Sequence, residues 1–252
     1  MRKIFQRIRP GKQIILFLDY DGSLVFIKKS PELAVLHPKR RRLLEFLSER
    51  TVVCIVSGRS LAEIRKLVGI KDIAYIGNHG LEILYGHKSW IHPRAEKTKP
   101  ILGRALARIG SRIGHLPGVI IENKGVTGSV HFRRSRSGQE PVIKKAVEDE
   151  VRLKSRSLKL TAGKKVFEIR PNVKWDKGKG VQEVSRWFPR QKTFVRIYIG
   201  DDQTDEDAFK ALGRNAVTIH VGQRESTHAR YRLADVDQVW KFLRDLLPQI
   251  TF

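Results

Sequence analysis

Cysteine, methionine and long apolar runs are what this 252-residue sequence has least of. Its one cysteine, Cys54, cannot form an intrachain disulfide, and its place in the apolar stretch 51–56 predicts a small buried core residue. The apolar run nearest the N-terminus, residues 14–18, is far below the roughly 20 residues that span a bilayer. It is also too short for a secretory signal and ends in Asp19 without a small-residue cleavage site. We therefore expect a cytoplasmic protein without a membrane segment.

Acidic residues are also scarce, since 26 Asp+Glu stand against 50 Lys+Arg and give a formal net charge of +24. With 40% hydrophobic residues, the chain can still bury a globular core. So basic a balance is typical of nucleic-acid-binding proteins, which makes nucleic-acid binding the rival function class. However, the basic runs 39–42, 133–136 and 152–165 fall on several predicted elements, and we recognise no nucleic-acid-binding module. We therefore do not expect a nucleic acid as the partner, despite the charge.

Strand-like apolar segments alternate with amphipathic helical segments, and this pattern predicts a parallel α/β sheet. A capping box of Ser60 with Glu63 predicts the start of one helix. The other predicted helices are residues 39–50, 179–187, 205–212 and 237–247. The predicted strands are residues 14–18, 51–56, 73–76, 194–199 and 216–221.

The pattern changes between residues 78 and 175. Short alternating segments are separated by turn residues, with helical stretches at 100–113 and 140–152. The segments are residues 118–122, 129–132, 158–161 and 166–169. They predict an α+β unit with an open antiparallel sheet. We therefore expect one α/β domain formed by residues 1–77 and 176–252, interrupted by a second domain at residues 78–175.

Acidic residues are concentrated at the ends of two predicted strands. Asp19 and Asp21 follow the first strand, and five acids lie in residues 201–207 after the fourth. Open α/β sheets bind ligands at the carboxyl ends of their strands. Clustered carboxylates in so basic a chain favour a hard divalent cation that is shared with a substrate phosphate. The sequence therefore predicts a Mg²⁺ site at this edge of the sheet.

The order of four short motifs makes this prediction specific. They are Asp19-Tyr20-Asp21-Gly22-Ser23-Leu24, Ser57-Gly58-Arg59, Lys177-Gly178 and Gly200-Asp201-Asp202 with Asp205. Together they resemble the haloacid dehalogenase superfamily of phosphohydrolases over most of the chain. The resemblance implies a Rossmann-like parallel-sheet core domain with an inserted α+β cap domain. Ser23 stands where that superfamily most often has Thr, and since the hydroxyl is kept, we expect activity to be kept.

Further segments narrow the resemblance to the trehalose-6-phosphate phosphatase family: 77–82, 122–125, 131–133, 163–168 and 174–179. The resemblance implies Mg²⁺-dependent hydrolysis of trehalose 6-phosphate to trehalose and phosphate through an aspartyl-phosphate. It also makes a trehalose-6-phosphate synthase a candidate functional partner. Sucrose 6-phosphate and a glycosyl-3-phosphoglycerate remain alternative substrates, because the motifs specify the chemistry and only the cap specifies the sugar.

The resemblance assigns roles to the acidic residues. Asp19 is expected to be the nucleophile, and Asp21 the general acid that then acts as the base. Mg²⁺ is expected to be held by Asp19, the backbone carbonyl of Asp21, and Asp201. Asp202 and Asp205 are expected to support the metal site from nearby.

The remaining roles concern the substrate. Ser57 and Lys177 are expected to act in catalysis by binding the phosphoryl oxygens. In the cap, polar residues are expected to recognise the sugar. The full set expected to bind substrate is Ser57, Gly58, Arg59, Asn78, His79, Glu122, Lys124, Arg133, Lys164, Glu168 and Lys177.

The sequence contains four tryptophans, and none is expected to act in catalysis. Trp90, Trp187 and Trp240 are expected to be core or interface aromatics, because no motif contains them. Trp175 lies next to the Lys177 motif, and we expect it to line the hinge between the domains.

Overall fold

The computed structural model describes residues 2–8, 12–28, 31–163, 165–188, 194–224 and 226–250. Within these residues the chain forms two compact units. Unit 1 runs up to Trp90 and resumes at Trp175, and unit 2 is the segment from Ile91 to Lys174 between them. Among the helices of the described part, none combines the length and the apolar character needed to cross a membrane.

Twelve strands and eight α-helices are present in the described residues and are numbered in chain order. The strands are β1 (Gln13–Asp19), β2 (Val52–Val56), β3 (Ala74–Gly77), β4 (Glu82–Tyr85), β5 (Lys88–Ile91), β6 (Ile120–Asn123), β7 (Gly128–His131), β8 (Leu158–Gly163), β9 (Val166–Pro171), β10 (Phe194–Gly200), β11 (Val217–Val221) and β12 (Tyr231–Leu233). The helices are α1 (Arg2–Phe5), α2 (Pro38–Ser48), α3 (Leu61–Val68), α4 (Pro93–Ile113), α5 (Glu140–Leu153), α6 (Lys177–Arg186), α7 (Asp205–Leu212) and α8 (Val236–Leu246).

The sheet of unit 1 has the strand order β12-β11-β10-β1-β2-β3-β4-β5. The strands from β12 to β3 are parallel, and β4 runs antiparallel to β3. The central strand β1 is buried at six of its seven residues, as expected for a parallel strand that is covered on both faces. Leu18 of β1 pairs with Ile55 of β2 and Ile199 of β10, so the carboxyl ends of three strands meet at one edge.

Both faces of this sheet are covered by helices. On one face, Leu16 and Ile55 pack in a core with residues of α2, α3 and α8. On the other face, Phe17 and Cys54 pack with residues of α6 and α7. The predicted α/β class is therefore confirmed, and so is the predicted burial of Cys54, which is fully enclosed.

Unit 2 has its own sheet and its own core. Its four antiparallel strands lie in the order β6-β7-β9-β8. One face of the sheet, including Val130 and Phe167, packs against Leu106 and Ile109 of α4 and residues of α5. Because side chains alternate along a strand, polar residues fall on the opposite face.

The boundary between the units differs from the expected one. Strand β4 pairs with β3, with Ile83 opposite Ile76, so residues 78–90 continue the sheet of unit 1 and do not begin the second unit. Helix α4 also begins earlier than expected, at Pro93, which takes the first-turn position, while Pro100 lies inside the helix. The short elements α1 and β12 were not predicted, because segments of four and three residues carry too little periodicity to be recognised.

The two cores give a direct test of the packing in unit 1. Leu16→Ala removes a fully buried side chain from the central strand and should lower the free energy of unfolding by about 2–5 kcal/mol. Val35→Ala, at a position that is 58% exposed, is the matched control and should change it by less than about 0.5 kcal/mol. Urea denaturation followed by circular dichroism measures both. Equal effects would contradict the placement of Leu16 in the core.

Candidate functional site

The predicted acidic residues meet at the carboxyl edge of the unit 1 sheet. Asp19 is the last residue of β1, and Asp201 and Asp202 directly follow β10. Asp205 begins α7 and is fully buried, while Asp19 is 5% exposed. Carboxylate oxygens of Asp19, Asp201 and Asp205 all lie within 4.8 Å of one another.

A buried lysine lies among these acids. The Lys177 Nζ is 2.7 Å from Asp19 Oδ1 and 2.8 Å from Asp205 Oδ1. Lys177 is the first residue of α6, whose start is capped by the Asp176 side chain accepting from the Lys179 N–H. Gly178 lets α6 approach α7 closely, because a Cβ there would lie 2.4 Å from the Asp207 carbonyl oxygen. This close packing of two helices places the ammonium between the two carboxylates.

Asp205 organises the loop that follows β10. Its Oδ2 accepts hydrogen bonds from the N–H groups of Asp201 (2.9 Å) and Asp202 (3.0 Å). Its Oδ1 accepts from the buried hydroxyl of Tyr198 at 2.7 Å. No role was expected of Tyr198, because in the sequence it is only one apolar position of a strand. Asp205, expected only to support the site, lies inside the carboxylate cluster.

The electrostatics of the cluster favour an added cation. Burial and the charge of Asp205 raise the pKa of Asp19 well above its ordinary value, although Lys177 lowers it. Burial and the same Asp205 charge raise the pKa of Asp201 to about 7. One ammonium therefore does not balance three clustered carboxylates, two of them buried. Their oxygens are the ligands that hard divalent cations prefer, so the donor set fits such a cation in place of protons.

Gly22 and Ser23, which follow Asp19 and Asp21 in the chain, lie close to Asp201. Gly22 has φ +89°, and a Cβ there would lie 2.0 Å from Asp201 Oδ2, so only glycine fits this turn. The Ser23 hydroxyl donates to Asp201 Oδ1 at 3.2 Å. The Ser23 hydroxyl, expected to replace that of threonine, therefore has a partner in the carboxylate cluster.

Asp21 is held by an arginine that sequence analysis assigned to the substrate. Arg59 donates from Nε to Asp21 Oδ2 and from a terminal nitrogen to Asp21 Oδ1, both at 2.7 Å. It also bonds to Glu63, one turn into α3. Burial lowers the pKa of Arg59, but the hydrogen bonds and charges of Asp21 and Glu63 raise it by more than burial lowers it. The guanidinium therefore stays charged. Arg59 thus orients the Asp21 carboxylate through a bidentate pair.

Ser57 lies at the end of β2 and is 2% exposed. Its Oγ accepts from the Arg59 N–H at 3.1 Å, which leaves the hydroxyl proton to donate elsewhere. The neighbouring Asn78-His79-Gly80 turn packs against this loop, since a Cβ at Gly58 would lie 2.6 Å from the His79 ring. Asn78 is fully buried, and its amide donates to Glu82 at 2.5 Å.

The cap residues expected to bind sugar lie in unit 2. The Lys124 Nζ is 3.8 Å from Glu122 Oε2 and 3.7 Å from Glu168 Oε1, so these three expected residues come together. Arg133 lies in the turn after β7, and Lys164 lies outside the described residues. His131, whose Nε2 is 3.2 Å from Glu122 Oε2, received no role from the sequence. His131 lies opposite Ile120 in the antiparallel pairing of β6 with β7. The sequence alone does not reveal which residues of these two strands pair.

Comparisons with known proteins agree with this geometry. Residues 17–237 match the family described as trehalose-phosphatase. The chain is 34% identical over 251 residues to trehalose-phosphate phosphatase B of Arabidopsis thaliana, in an alignment that covers 94% of this chain and 67% of the relative. Its structure is similar to a crystal structure of a trehalose-6-phosphate phosphatase related protein, with a TM-score of 0.80, 29% identity and coverage of 92% and 96%. It is also similar to the C-terminal domain of the C. albicans trehalose-6-phosphate phosphatase, with a TM-score of 0.78, 25% identity and coverage of 98% and 96%.

Cation binding should depend on pH, because a cation must displace protons from the cluster. The pKa values of Asp19 and Asp201 are raised, so both bind protons more tightly in the metal-free folded protein than in the unfolded chain. The cation therefore meets stronger proton competition at pH 5.5 than at pH 8. We expect the increase in Tm caused by MgCl₂ to be larger at pH 8.

Two variants complete this measurement. Asp201→Asn removes one ligand and should weaken cation affinity at pH 8 by at least about 10-fold. Asp72→Asn, at an exposed position away from the cluster, should leave the Tm increase unchanged. A Tm increase of equal size at both pH values would contradict displacement of protons from Asp19 and Asp201.

Proposed function

The chain belongs to the trehalose-phosphatase family, and we propose that it hydrolyses trehalose 6-phosphate to trehalose and phosphate through a covalent aspartyl-phosphate on Asp19. The observation that carries this mechanism is the Asp19 carboxylate at the end of the central strand, bonded to a buried ammonium. Such a carboxylate is a nucleophile whose charge is offset at the point where a phosphate dianion must approach.

In the first step, an oxygen of Asp19 attacks phosphorus and the bond between phosphorus and the sugar oxygen breaks. Asp21 gives its proton to the departing sugar oxygen, so trehalose leaves as a neutral alcohol. The bidentate pair with Arg59 orients the Asp21 carboxyl group. Proton donation requires a protonated Asp21, so one of its oxygens must exchange its hydrogen bond from Arg59 for a proton when the substrate binds.

In the second step, water attacks the phosphorus of the aspartyl-phosphate. Asp21 takes a proton from that water, and the bond between phosphorus and the Asp19 oxygen breaks. Inorganic phosphate leaves, and both carboxyl groups return to their starting states. Lys177 and the Ser57 hydroxyl would bind the phosphoryl oxygens in both steps, where negative charge spreads in the transition state.

Mg²⁺ is the proposed cofactor. Asp19, Asp201 and the backbone carbonyl of Asp21 would hold it, with Asp205 and Asp202 beside them. The closeness of Asp205 to Asp19 and Asp201 supports the site. When bound, the ion supplies positive charge that offsets the repulsion between the carboxylates and the phosphate dianion.

Sugar recognition is proposed for unit 2. Glu122 and Glu168 carry acceptors for sugar hydroxyls, and Lys124 lies between them with donors. Arg133 and Lys164 are proposed to contribute further donors. Sucrose 6-phosphate and a glycosyl-3-phosphoglycerate remain the substrates against which trehalose 6-phosphate must be compared. The +24 net charge is proposed to draw anionic substrates, and any nucleic-acid attraction should be nonspecific.

A substrate panel tests the chemistry. With MgCl₂ present, phosphate release should be fastest from trehalose 6-phosphate, compared with sucrose 6-phosphate, glucose 6-phosphate and 4-nitrophenyl phosphate. Asp19→Asn keeps the side-chain shape but removes the nucleophile, so turnover should fall by at least about 10⁴-fold with the fold retained.

Each other outcome has a distinct meaning. Faster release from another sugar phosphate would assign the enzyme to that sugar. Undiminished turnover by Asp19→Asn would overturn the mechanism. If no phosphate ester is hydrolysed, and nucleic-acid binding resists salt, the rival function class replaces this one.

A second experiment tests recognition by unit 2. Glu168→Gln removes a charged acceptor and should lower kcat/KM for trehalose 6-phosphate by about 10–100-fold. Turnover of 4-nitrophenyl phosphate, which carries no sugar, should stay within about 2-fold of wild type. The matched control is Glu148→Gln on α5, an exposed residue that pairs with Lys144 of the same helix. A parallel loss on both substrates would show that Glu168 does not act through the sugar.

A further inference from the structure

Trp90 and Trp175 mark the two places where the chain leaves and re-enters unit 1. Their rings lie against each other with centroids 5.2 Å apart and planes inclined by 34°. The Trp175 Nε1–H donates to the Gly80 carbonyl oxygen at 2.7 Å. The indole pair is therefore tied to the Asn78-His79-Gly80 turn.

This turn has an unusual backbone. Asn78, His79 and Gly80 have φ values of +47°, +56° and +99°, so three consecutive residues are in the left-handed region. For residues with a Cβ this conformation is disfavoured, and it persists only where surrounding contacts determine it. The contacts here are the Asn78 amide on Glu82 and the Trp175 indole on Gly80. A Cβ at Gly80 would also lie 2.6 Å from the Asp176 carbonyl oxygen.

The Asn78-His79-Gly80 turn also supports the loop that follows β2. The Asn78 N–H donates to the Arg59 carbonyl oxygen at 2.7 Å, and the His79 N–H donates to the Ser57 carbonyl oxygen at 3.1 Å. The side chain of the same Arg59 makes the bidentate pair with Asp21. An unbroken series of contacts thus runs from the Trp175 indole to the Asp21 carboxylate, all within unit 1.

We propose that Trp175 is a positioning residue for the Asp21 carboxyl group, acting through the Gly80 carbonyl, the strained turn and Arg59. The proposal rests on the proposed role of Asp21 in protonating the leaving oxygen. Losing the indole donor frees one end of the turn, so Arg59 no longer aims Asp21 at that oxygen. The phosphoryl-binding groups Lys177 and Asp19 are held by other contacts and keep their geometry. Ser57 contacts the turn, but its N–H also donates to the Ile76 carbonyl oxygen at 2.9 Å, which holds it independently of Trp175.

Leaving-group dependence separates this role from a merely structural one. Benzyl phosphate and 4-nitrophenyl phosphate are similar in size, but only the benzyl alcohol oxygen needs a proton as it leaves. Trp175→Phe keeps an aromatic ring and removes the donor. It should lower kcat/KM, which covers the steps up to departure of the leaving group, by about 10–100-fold for benzyl phosphate and trehalose 6-phosphate and by less than about 3-fold for 4-nitrophenyl phosphate. Water attack on the shared aspartyl-phosphate affects kcat for all three substrates alike and is therefore not part of the comparison.

Three reference variants make the result decisive. Asp21→Asn should show the same difference between the two aromatic esters, and larger. Arg59→Lys keeps the charge but loses the planar fork, and it should also reproduce the difference, which covers the case in which Trp175→Phe folds poorly. Trp187→Phe removes another indole donor of unit 1, bonded to Glu183 at 3.3 Å, and should change neither rate.

The outcomes are distinguishable. If Asp21→Asn lowers kcat/KM equally for both aromatic esters, the proposed proton transfer from Asp21 to the leaving oxygen is wrong. Suppose that Asp21→Asn shows the difference, while Trp175→Phe and Arg59→Lys lower kcat/KM equally for both esters or leave it unchanged for both. The positioning role of Trp175 is then wrong. A difference shared by all three variants and absent from Trp187→Phe supports it.

Discussion

The buried contact of the Lys177 ammonium with Asp19 and Asp205 is the interaction on which the rest of unit 1 depends. Taking these charges out of water is expensive, and the cost is recovered only when each charge has close partners. The surrounding fold supplies them. Asp205 is completed by Tyr198 and two backbone N–H groups, and Lys177 is carried there by the close packing of α6 on α7. Removing one partner would leave an uncompensated buried charge, which typically costs about 3–5 kcal/mol.

The same constraint explains why the glycines of the site are so tightly surrounded. A Cβ at Gly200 would lie 2.3 Å from the Asp205 Cγ, and one at Gly22 would lie 2.0 Å from an Asp201 oxygen. The Asp205 carboxylate comes this close to the backbone because the N–H groups of Asp201 and Asp202 donate to it, whereas the Asp201 carboxylate beside Gly22 accepts from the Ser23 hydroxyl. The motifs thus have glycine where a side chain would collide with a carboxylate, and they have Asp where the carboxylates of the cluster are formed. A divalent cation would complete this balance by adding positive charge where Lys177 alone is insufficient.

A second polar system lies beside the cluster and has a different task. In the proposed mechanism, Lys177, Asp19 and Ser57 act on the phosphoryl group, whereas Asp21, paired with Arg59, acts on the oxygen that leaves. The left-handed turn at residues 78–80 connects this second system to the tryptophans at the ends of unit 1. In unit 2, the Glu122, Lys124 and Glu168 group stands on a separate sheet with its own core. The proposed sugar recognition thus rests on contacts of unit 2, while the two polar systems of unit 1 are joined by the hydrogen bond between Arg59 and Ser57.

The sequence by itself determined the α/β class, the antiparallel second unit and the acids that end β1 and β10. These follow from hydrophobic periodicity and from motif order, which are properties of short stretches of chain. Three features needed the tertiary structure: the extension of unit 1 through β4 and β5, the partnership of Arg59 with Asp21, and the entry of Tyr198 and Asp205 into the charge cluster. Each depends on which strand or helix lies beside which, and residues as far apart as Asp19 and Lys177 become neighbours only when the sheet and its helices have packed. Local pattern therefore specified which groups are present, and packing decided which of them touch.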